Sequence, residues 1–522
     1  MKTLSINFSH DASVCYMDNG VITGYYKEER FSKRKRDIFP DLAIRFCLRH
    51  HPKPDFVLYH NMDYPEGHPN IGSYLVKSVG VPSQILVDTS MNHHLAHASC
   101  AFYNSGFDES LVFVVDGRGS ITSDYTASEC ETVFKCAYPD SFETLQKNTF
   151  RASYKAYMNQ KTNTDLVFGL VNTYNVSPLS FGQDMMENGK AMGLSAYGQT
   201  DLGDISDDIG YDNYKFTLVK LPIYKPYKDK IVEELTPDNY QPYADLALTV
   251  QKRTQEALLE MVKSHIEKTN IQNVCICGGY GMNVVANKFL IDSLPDVNFF
   301  FEPLSDDSGI SIGMSKLFHH MNTGDMTKRK LETTSIHGEF HNFDEVKGKK
   351  VSFSDVAQLL KDNKSVAVFH ERSESGQRAL GNRSILFNAL NPDCKDIVNR
   401  IKKREWYRPF ACIVLEEDAN KYFDMGDIKS SPFMTIAFKS IVDFIPGVTH
   451  VDKTCRIQTI DKNHHLYELL QEFKSITGHG ILLNTSFNLA GQPLVESVDD
   501  AMETLKNSDL DHVLFSEIMT LV

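Results

Sequence analysis

The sequence predicts an α/β protein of two domains, and three observations carry that expectation. Its 522 residues exceed the size at which a single core keeps growing. Apolar strands run repeatedly into glycine-rich turns and then into helix-like segments. A strand–turn–strand opening also occurs twice, as a duplicated α/β core would give.

Taken in order, LSINFS (Leu4–Ser9) and ASVCYM (Ala12–Met17) read as strands. Asp18, Asn19 and Gly20 form a turn, and VITGYYKEE is the return strand. The opening recurs at SLVFVVDGRGS (Ser110–Ser120), where an apolar strand meets Asp116 and Gly117. A third strand, VCICGGYGMN, runs into Gly278 and Gly279 before the helix-like NVVANKFLIDSL. Strand, glycine turn and helix start together bring backbone N–H groups and a helix dipole to one point, which suits a phosphate. No turn matches G-x-x-x-x-G-K-[ST] or G-x-G-x-x-G, which excludes a P-loop and a Rossmann fingerprint. The polar stretch Met321–Lys350 marks a boundary at residue 340, giving domains 1–340 and 341–522. Beyond it KSVAVFH and HGILLNTSFN resume as strands.

The formal charge of −14 excludes long-range attraction to nucleic acid or an anionic membrane as the main driving force. The ten cysteines are scattered, with only the C-x-C of Cys275 and Cys277, so they read as reduced, buried thiols of a cytoplasmic protein. No apolar run reaches the ~18 residues of a membrane span, and the N-terminus lacks a signal-peptide pattern.

MNHHLAHASCAF places three histidines in five positions. If LAHASCAFY is helical, His93 and His97 share one face and can hold one metal ion. The residue after His93 is His94, so the general base of H-E-x-x-H is missing and zinc-protease chemistry is not indicated. Asp116 and Asp307, each beside glycine at a strand end, are candidate oxygen ligands, and iron, manganese or zinc would fit. Packed or solvated histidines satisfy the same spacing. RFSKRKR (Arg30–Arg36) has five basic residues in seven and reads as a solvated loop or an anion-binding rim. GQRALGNRS supplies Arg378 and Arg383, and KKREWYRPF adds Lys402, Lys403, Arg404 and Arg408. Arginine forks match phosphate oxygens, so these two segments read as a phosphate pocket. Trp406, the only tryptophan, reads as a packing anchor.

These pieces, with FSHDAS, EERFSKRK, ENGKAMGLSAYG, PLSDDSGISIG, DKTCRIQT and LLNTSFN, resemble the O-carbamoyltransferase family of nodulation, cephalosporin and tobramycin carbamoyltransferases. The resemblance runs from residue 5 to residue 495 and implies an actin-like ATPase (duplicated ribonuclease-H-like) domain followed by a YrdC-like α/β domain. It implies that carbamoyl phosphate and ATP (with magnesium) give carbamoyl adenylate and pyrophosphate in the second domain. The first domain then transfers the carbamoyl group to an acceptor hydroxyl and releases AMP. By the same resemblance a divalent metal, iron above manganese or zinc, would bind His93, His97, Asp116 and Asp307. His10, Asp11 and Lys35 would lie near the transferring group, with His10 as general base. Gly117, Lys190, Gly278, Gly279 and Asn283 would cradle the nucleotide. Arg378, Arg383, Lys402, Arg408 and Asn484 would bind carbamoyl phosphate and ATP. Two departures stand out: Arg36 replaces a common histidine, and GPRALGNRS reads GQRALGNRS.

The expected acceptor is a small metabolite, with 5-hydroxymethylcytosine in DNA as the alternative, reached through RFSKRKR as a phosphate-binding rim. An actin-like nucleotide-dependent switch is a competing class, since the fold hosts many functions. Transfer of threonylcarbamoyl to tRNA is a further alternative, against which REWYRPFA argues. No membrane partner is expected, and a homodimer is an allowed assembly.

Overall fold

The computed structural model describes residues 1–61, 70–90, 92–121, 127–150, 170–171, 188–202 and 235–522. Met91 of the histidine motif and Glu187 of ENGKAMG lie outside the described residues. The chain separates into two compact units: Met1–Thr23 with Ile38–Glu332, and Gly24–Asp37 with Thr333–Val522.

The first unit contains the predicted duplication. Strands β1 (Lys2–Asn7), β2 (Ser13–Asp18), β3 (Val21–Lys27), β4 (Phe56–His60) and β5 (Leu86–Asp88) form one sheet in the order β3-β2-β1-β4-β5. Helix α1 (His93–Ser105) follows. Strands β6 (Glu109–Val115), β7 (Ser128–Ala137), β8 (Ser141–Phe150), β9 (Asn273–Cys277) and β10 (Asn298–Phe301) form the other sheet, ordered β8-β7-β6-β9-β10. Each sheet therefore has an antiparallel strand beside its first strand and two parallel strands beyond it. This is the repeat expected of a duplicated ribonuclease-H-like domain. The β2–β3 turn has positive φ at both Asn19 (47°) and Gly20 (79°), the hairpin geometry whose twist matches its strands.

The helices of this unit include α1, α2 (Asn188–Ser195), α3 (Gln241–Thr269), α4 (Val284–Ser293) and α5 (Ile310–Thr323). Helix α1 is buried along almost its whole length. Ala98, Ala101 and Phe102 pack on Val112, Val114, Cys275 and Cys277 of the second sheet, while Ala96 meets Leu58 of the first sheet together with Ile310 and Met314. Helices α1 and α5 cross closely at Gly313, where a Cβ would stand 1.9 Å from the Ala96 carbonyl oxygen. An apolar helix clamped on both sides holds its polar residues at fixed positions, and His93 and His97 are among them.

The second unit is built on a ten-stranded mixed sheet. Its elements are β11 (Lys349–Lys350), α6 (Phe353–Lys361), β12 (Val366–Phe369), β13 (Arg383–Phe387), α7 (Cys394–Lys402), β14 (Ala411–Leu415), β15 (Phe423–Asp424), β16 (Ala437–Ser440), β17 (Thr454–Ile460), α8 (Tyr467–Thr477), β18 (Ile481–Ser486), α9 (Val498–Lys506), β19 (His512–Phe515) and β20 (Thr520–Leu521). The strand order is β11-β20-β19-β12-β13-β18-β14-β17-β16-β15. One face carries α6 and α8 through Leu360, Leu469 and Phe473, and the other carries α7 and α9 through Ile401 and Ala501.

Residues 24–37 group with this second unit, whereas the sequence pattern places all of 1–340 in the first domain. The physical reason is Arg30, which is buried and sits 3.6 Å from Glu496 and 3.2 Å from the Glu374 carbonyl oxygen. Lys33 adds an ion pair to Asp500 at 2.6 Å. All ten cysteines are buried free thiols. No described helix is long and apolar enough to cross a membrane.

Candidate functional site

In the first unit, four side chains from three separate segments converge. Helix α1 presents His93 and His97, the end of β6 presents Asp116, and the turn before α5 presents Asp307. One donor atom from each lies within 4.8 Å of all the others, and all four residues are buried. His93 Nε2 is 3.3 Å from Asp116 Oδ2 and 3.7 Å from Asp307 Oδ1. His97 Nε2 is 3.4 Å from Asp307 Oδ1.

For three of the four, the structure ties one polar atom and leaves the other aimed inward. Asp116 Oδ1 accepts the Gly279 backbone N–H at 2.8 Å. Asp307 Oδ2 accepts the Ser9 hydroxyl at 3.0 Å, and His93 Nδ1 faces His60 Nε2 at 3.0 Å. His97 Nε2 is buried without a hydrogen-bond partner of good geometry. Two imidazole nitrogens and two carboxylate oxygens, three of them oriented from behind, match the donor set and outer shell of a divalent transition-metal site. Among the described residues this is the one such cluster of metal-ligating side chains.

Electrostatics agree with that fit. Burial works against a charged His93, but the Asp307 charge and the Asp116 hydrogen bond outweigh it and push the imidazole up to about 9. Burial also opposes ionising the two carboxylates. The His93 hydrogen bond nevertheless holds Asp116, and the His10 and His93 charges hold Asp307, below the usual carboxylate range. The cluster thus demands positive charge, which a proton or a cation can supply.

His10 lies at the rim, its Nε2 3.8 Å from Asp307 Oδ2 and its side chain 37% exposed. Burial would lower it, but the charges of Asp307, Asp11 and Asp116 hold it above its ordinary value. Asp11 is buried beside it. Lys35 belongs to the other unit, where its charge acts on Lys402. Gly278, at φ +80° and with the Val115 carbonyl oxygen 2.6 Å from any added Cβ, lets the chain turn tightly against β6. That turn delivers the Gly279 N–H to Asp116, beside Gly117. Asn283 is the N-cap of α4, accepting from Ala286 N at 3.1 Å, and it also donates to Gln251. Its side chain thus fixes the start of α4. Lys190 sits half-buried on α2.

In the second unit, the two basic segments gather several cations close to one another. Arg378, Arg404, Arg408 and Arg456 are partly buried, and Lys402 is buried. Burial lowers Arg378, Arg404, Lys402 and Arg456, and mutual repulsion, with Arg408 as a neighbour of each, lowers them further. Arg408 pairs with Glu405 at 3.2 Å. Lys402 meets Ser486 Oγ at 3.0 Å and Asn488 Oδ1 at 2.8 Å. Asn484, on β18, donates to Gln458 Oε1 at 2.9 Å, and its own Oδ1 is buried without a partner. Trp406 is half-buried and packs edge-on to Tyr407.

Arg383 departs from the expectation of an anion ligand. It is fully buried, stacks on Phe369 at 3.5 Å and donates to the carbonyl oxygens of His370, Asn382, Glu371 and Glu496. Its guanidinium knits backbone segments together. Arg456, which sequence reasoning did not single out, is the neighbour of Arg378, Arg404 and Arg408 instead. It lies in the quoted DKTCRIQT stretch, but a single arginine on a strand carries no local signal. His60, Ser9 and Asn7 are likewise missed contributors to the first site, because the contacts that recruit them are long-range.

Comparison with known proteins gives two family matches. Residues 74–315 match the model for "Carbamoyltransferase N-terminus", and residues 357–521 match "Carbamoyltransferase C-terminus". Nodulation protein NolNO of Sinorhizobium fredii is 28% identical over 97% of this chain and 78% of its own length. An uncharacterized protein of Methanocaldococcus jannaschii, MJ1051, is 26% identical over 99% of both chains. Nodulation protein U of Rhizobium tropici is 34% identical over 46% of this chain and 42% of its own. Among solved structures, HypF of T. kodakarensis aligns with TM-score 0.41 and 14% identity, covering 63% of this chain and 48% of that one.

Proposed function

This chain belongs to the carbamoyltransferase family in both its halves, and from that premise we propose that it uses ATP and carbamoyl phosphate to carbamoylate the hydroxyl of a small metabolite. The observation that carries the proposal is the cluster of Arg378, Arg404, Arg408 and Arg456, partly buried cations close enough to repel one another. Partly buried guanidinium groups that repel one another favour a polyanion.

The chemistry that fits is activation. Carbamoyl phosphate gives carbamate and phosphate with water, and a carbamate oxygen then attacks the α-phosphorus of ATP and expels pyrophosphate. Two anions meet in that step, and the guanidinium groups offset their repulsion. The resulting carbamoyl adenylate carries AMP as a leaving group, which an alcohol can displace at the carbonyl carbon. A nucleotide-dependent switch without group transfer would have no use for the cluster.

Transfer to the alcohol belongs to the first unit in this reading. His93, His97, Asp116 and Asp307 fit a divalent metal, which when bound would supply a Lewis acid for the adenylate oxygens. His10, exposed at the rim, is placed to accept the proton of the acceptor hydroxyl as its oxygen bonds to the carbonyl carbon. Asp11 supplies negative charge that favours the imidazolium formed. The Gly278–Gly279 turn holds Asp116 in place.

The small-metabolite acceptor is favoured over hydroxymethylated DNA by the state of RFSKRKR. Arg30 is buried among Glu29, Glu496 and backbone carbonyls, and Lys33 is paired with Asp500, so two of its five cations are already neutralised. The test is to supply ATP and carbamoyl phosphate with a panel of small alcohols and with hydroxymethylcytosine DNA, then seek products heavier by one HNCO unit. A carbamate ester on a small alcohol, with AMP released in equal amount, is the expected result. Product on DNA alone would overturn the acceptor assignment, and AMP release independent of carbamoyl phosphate would overturn the reaction.

A further inference from the structure

Building on the reading of His93 as a metal ligand, we propose that His60 is a positioning residue that locks His93 in the Nδ1–H tautomer. In that tautomer Nε2 is the nitrogen left to meet a cation beside Asp116 and Asp307, where a bound metal would take the place of the proton. The argument starts at a backbone carbonyl. His60 Nδ1 lies 3.1 Å from the Thr89 carbonyl oxygen. A carbonyl oxygen can only accept, so the proton of a neutral His60 resides on Nδ1 and its Nε2 is an acceptor.

His60 Nε2 is 3.0 Å from His93 Nδ1, and an acceptor there requires His93 Nδ1 to carry hydrogen. The remaining nitrogen of His93, Nε2, is the atom facing Asp116 Oδ2 and Asp307 Oδ1. The relay therefore runs one way, from the Thr89 carbonyl through two imidazoles to the donor cluster. Its components are held firmly. His60 is fully buried at the end of β4, where its backbone carbonyl accepts from Phe8 N at 2.8 Å. Thr89 N and Oγ1 both donate to the Tyr59 carbonyl oxygen at 2.9 Å. A ligand imidazole whose second nitrogen has a fixed acceptor keeps its orientation when the ion leaves, and loss of such a partner typically weakens metal binding.

The test uses the full chain with Zn²⁺ and Mn²⁺ as probes, and compares wild type with His60→Gln, His60→Leu and His97→Ala. Glutamine offers an oxygen near the position of Nε2, and leucine offers none. His60→Leu should bind the probes ~10–100-fold more weakly and His60→Gln should stay close to wild type. Equal affinity in His60→Leu, or equal loss in His60→Gln and His60→Leu, would overturn the role of His60. Wild type that fails to bind, or His97→Ala that binds normally, would overturn the metal reading itself. Should His60→Leu not fold, ¹⁵N-histidine NMR of Zn²⁺-loaded wild type decides the matter. Hydrogen on His93 Nδ1 is expected, and hydrogen on Nε2 with zinc on Nδ1 would refute the proposal.

Discussion

His97 Nε2 is a buried nitrogen with no hydrogen-bond partner, held 3.4 Å from the Asp307 carboxylate. An orphaned donor atom of this kind is costly unless something binds it. His97→Ala is therefore expected to abolish stoichiometric divalent metal, measured by elemental analysis of the purified protein, while the fold persists by circular dichroism. Unchanged metal content would remove His97 from the site. The His93/His97 pair was legible in the sequence because helix geometry turns a four-residue spacing into proximity. Asp116 was legible as a carboxylate at a strand end. His60 was not, since one histidine in FVLYH looks like any core residue until β4 is laid beside β1 and α1. Arg383 misled for the opposite reason: next to glycine it resembles a phosphate fork, but its position at the start of β13 drives it into the core.

The α1–α5 crossing decides where two of the four ligands stand. Gly313 allows it, since any Cβ there would clash with the Ala96 carbonyl oxygen, a backbone atom that cannot swing aside. Gly313→Ala should cost about 1–3 kcal/mol or more of stability by urea denaturation. It should also weaken Mn²⁺ binding, because α1 must shift and carry His93 and His97 with it. Full retention of both would mean that the crossing relaxes without moving the ligands. The strands of this domain were readable from their alternation and turns, including the repeat that becomes two sheets of the same topology. The helix crossing was not, because a small residue in ISIGMSKLF announces no partner. RFSKRKR shows the same limit, since its charge is visible in sequence but its partners Glu496 and Asp500 lie more than 460 residues away.

At the scale of the whole molecule, Glu496 makes the second unit sensitive to acid. It lies 2.9 Å from His337 Nδ1 and 3.6 Å from Arg30, and accepts from Ser373 at 2.6 Å. Burial would raise it, but His337, His341 and Arg383 hold it well below the ordinary 4.5. A carboxyl lowered in the folded state binds protons first in the unfolded chain. Its contribution is therefore complete above pH 4.5 and falls as pH drops toward the folded value. Glu496→Gln should lose about 3–5 kcal/mol at neutral pH, because it leaves buried Arg30 with a broken partner. The same substitution should also flatten the acid dependence below pH 4.5 in thermal melts. An unaltered acid limb would mean that other carboxyls govern it. Length and the polar stretch 321–350 point to two domains, and the chain separates into two compact units, but the grouping of residues 24–37 with the second depends on long-range ion pairs that no local pattern encodes.

The central claim is that the second unit makes carbamoyl adenylate and the first consumes it, and isotope exchange between pyrophosphate and ATP tests it most directly. Reversible adenylate formation puts labelled pyrophosphate into ATP, and it does so only when carbamoyl phosphate is present. Wild type and His97→Ala should both catalyse this exchange, since the metal cluster plays no part in it. Arg408→Ala and Arg378→Ala should lose it, because unpaired phosphate charges then meet without compensation, yet both should still carbamoylate the acceptor when given synthetic carbamoyl adenylate. Exchange that persists in both arginine variants, or that disappears in His97→Ala, would contradict the division of labour between the two units.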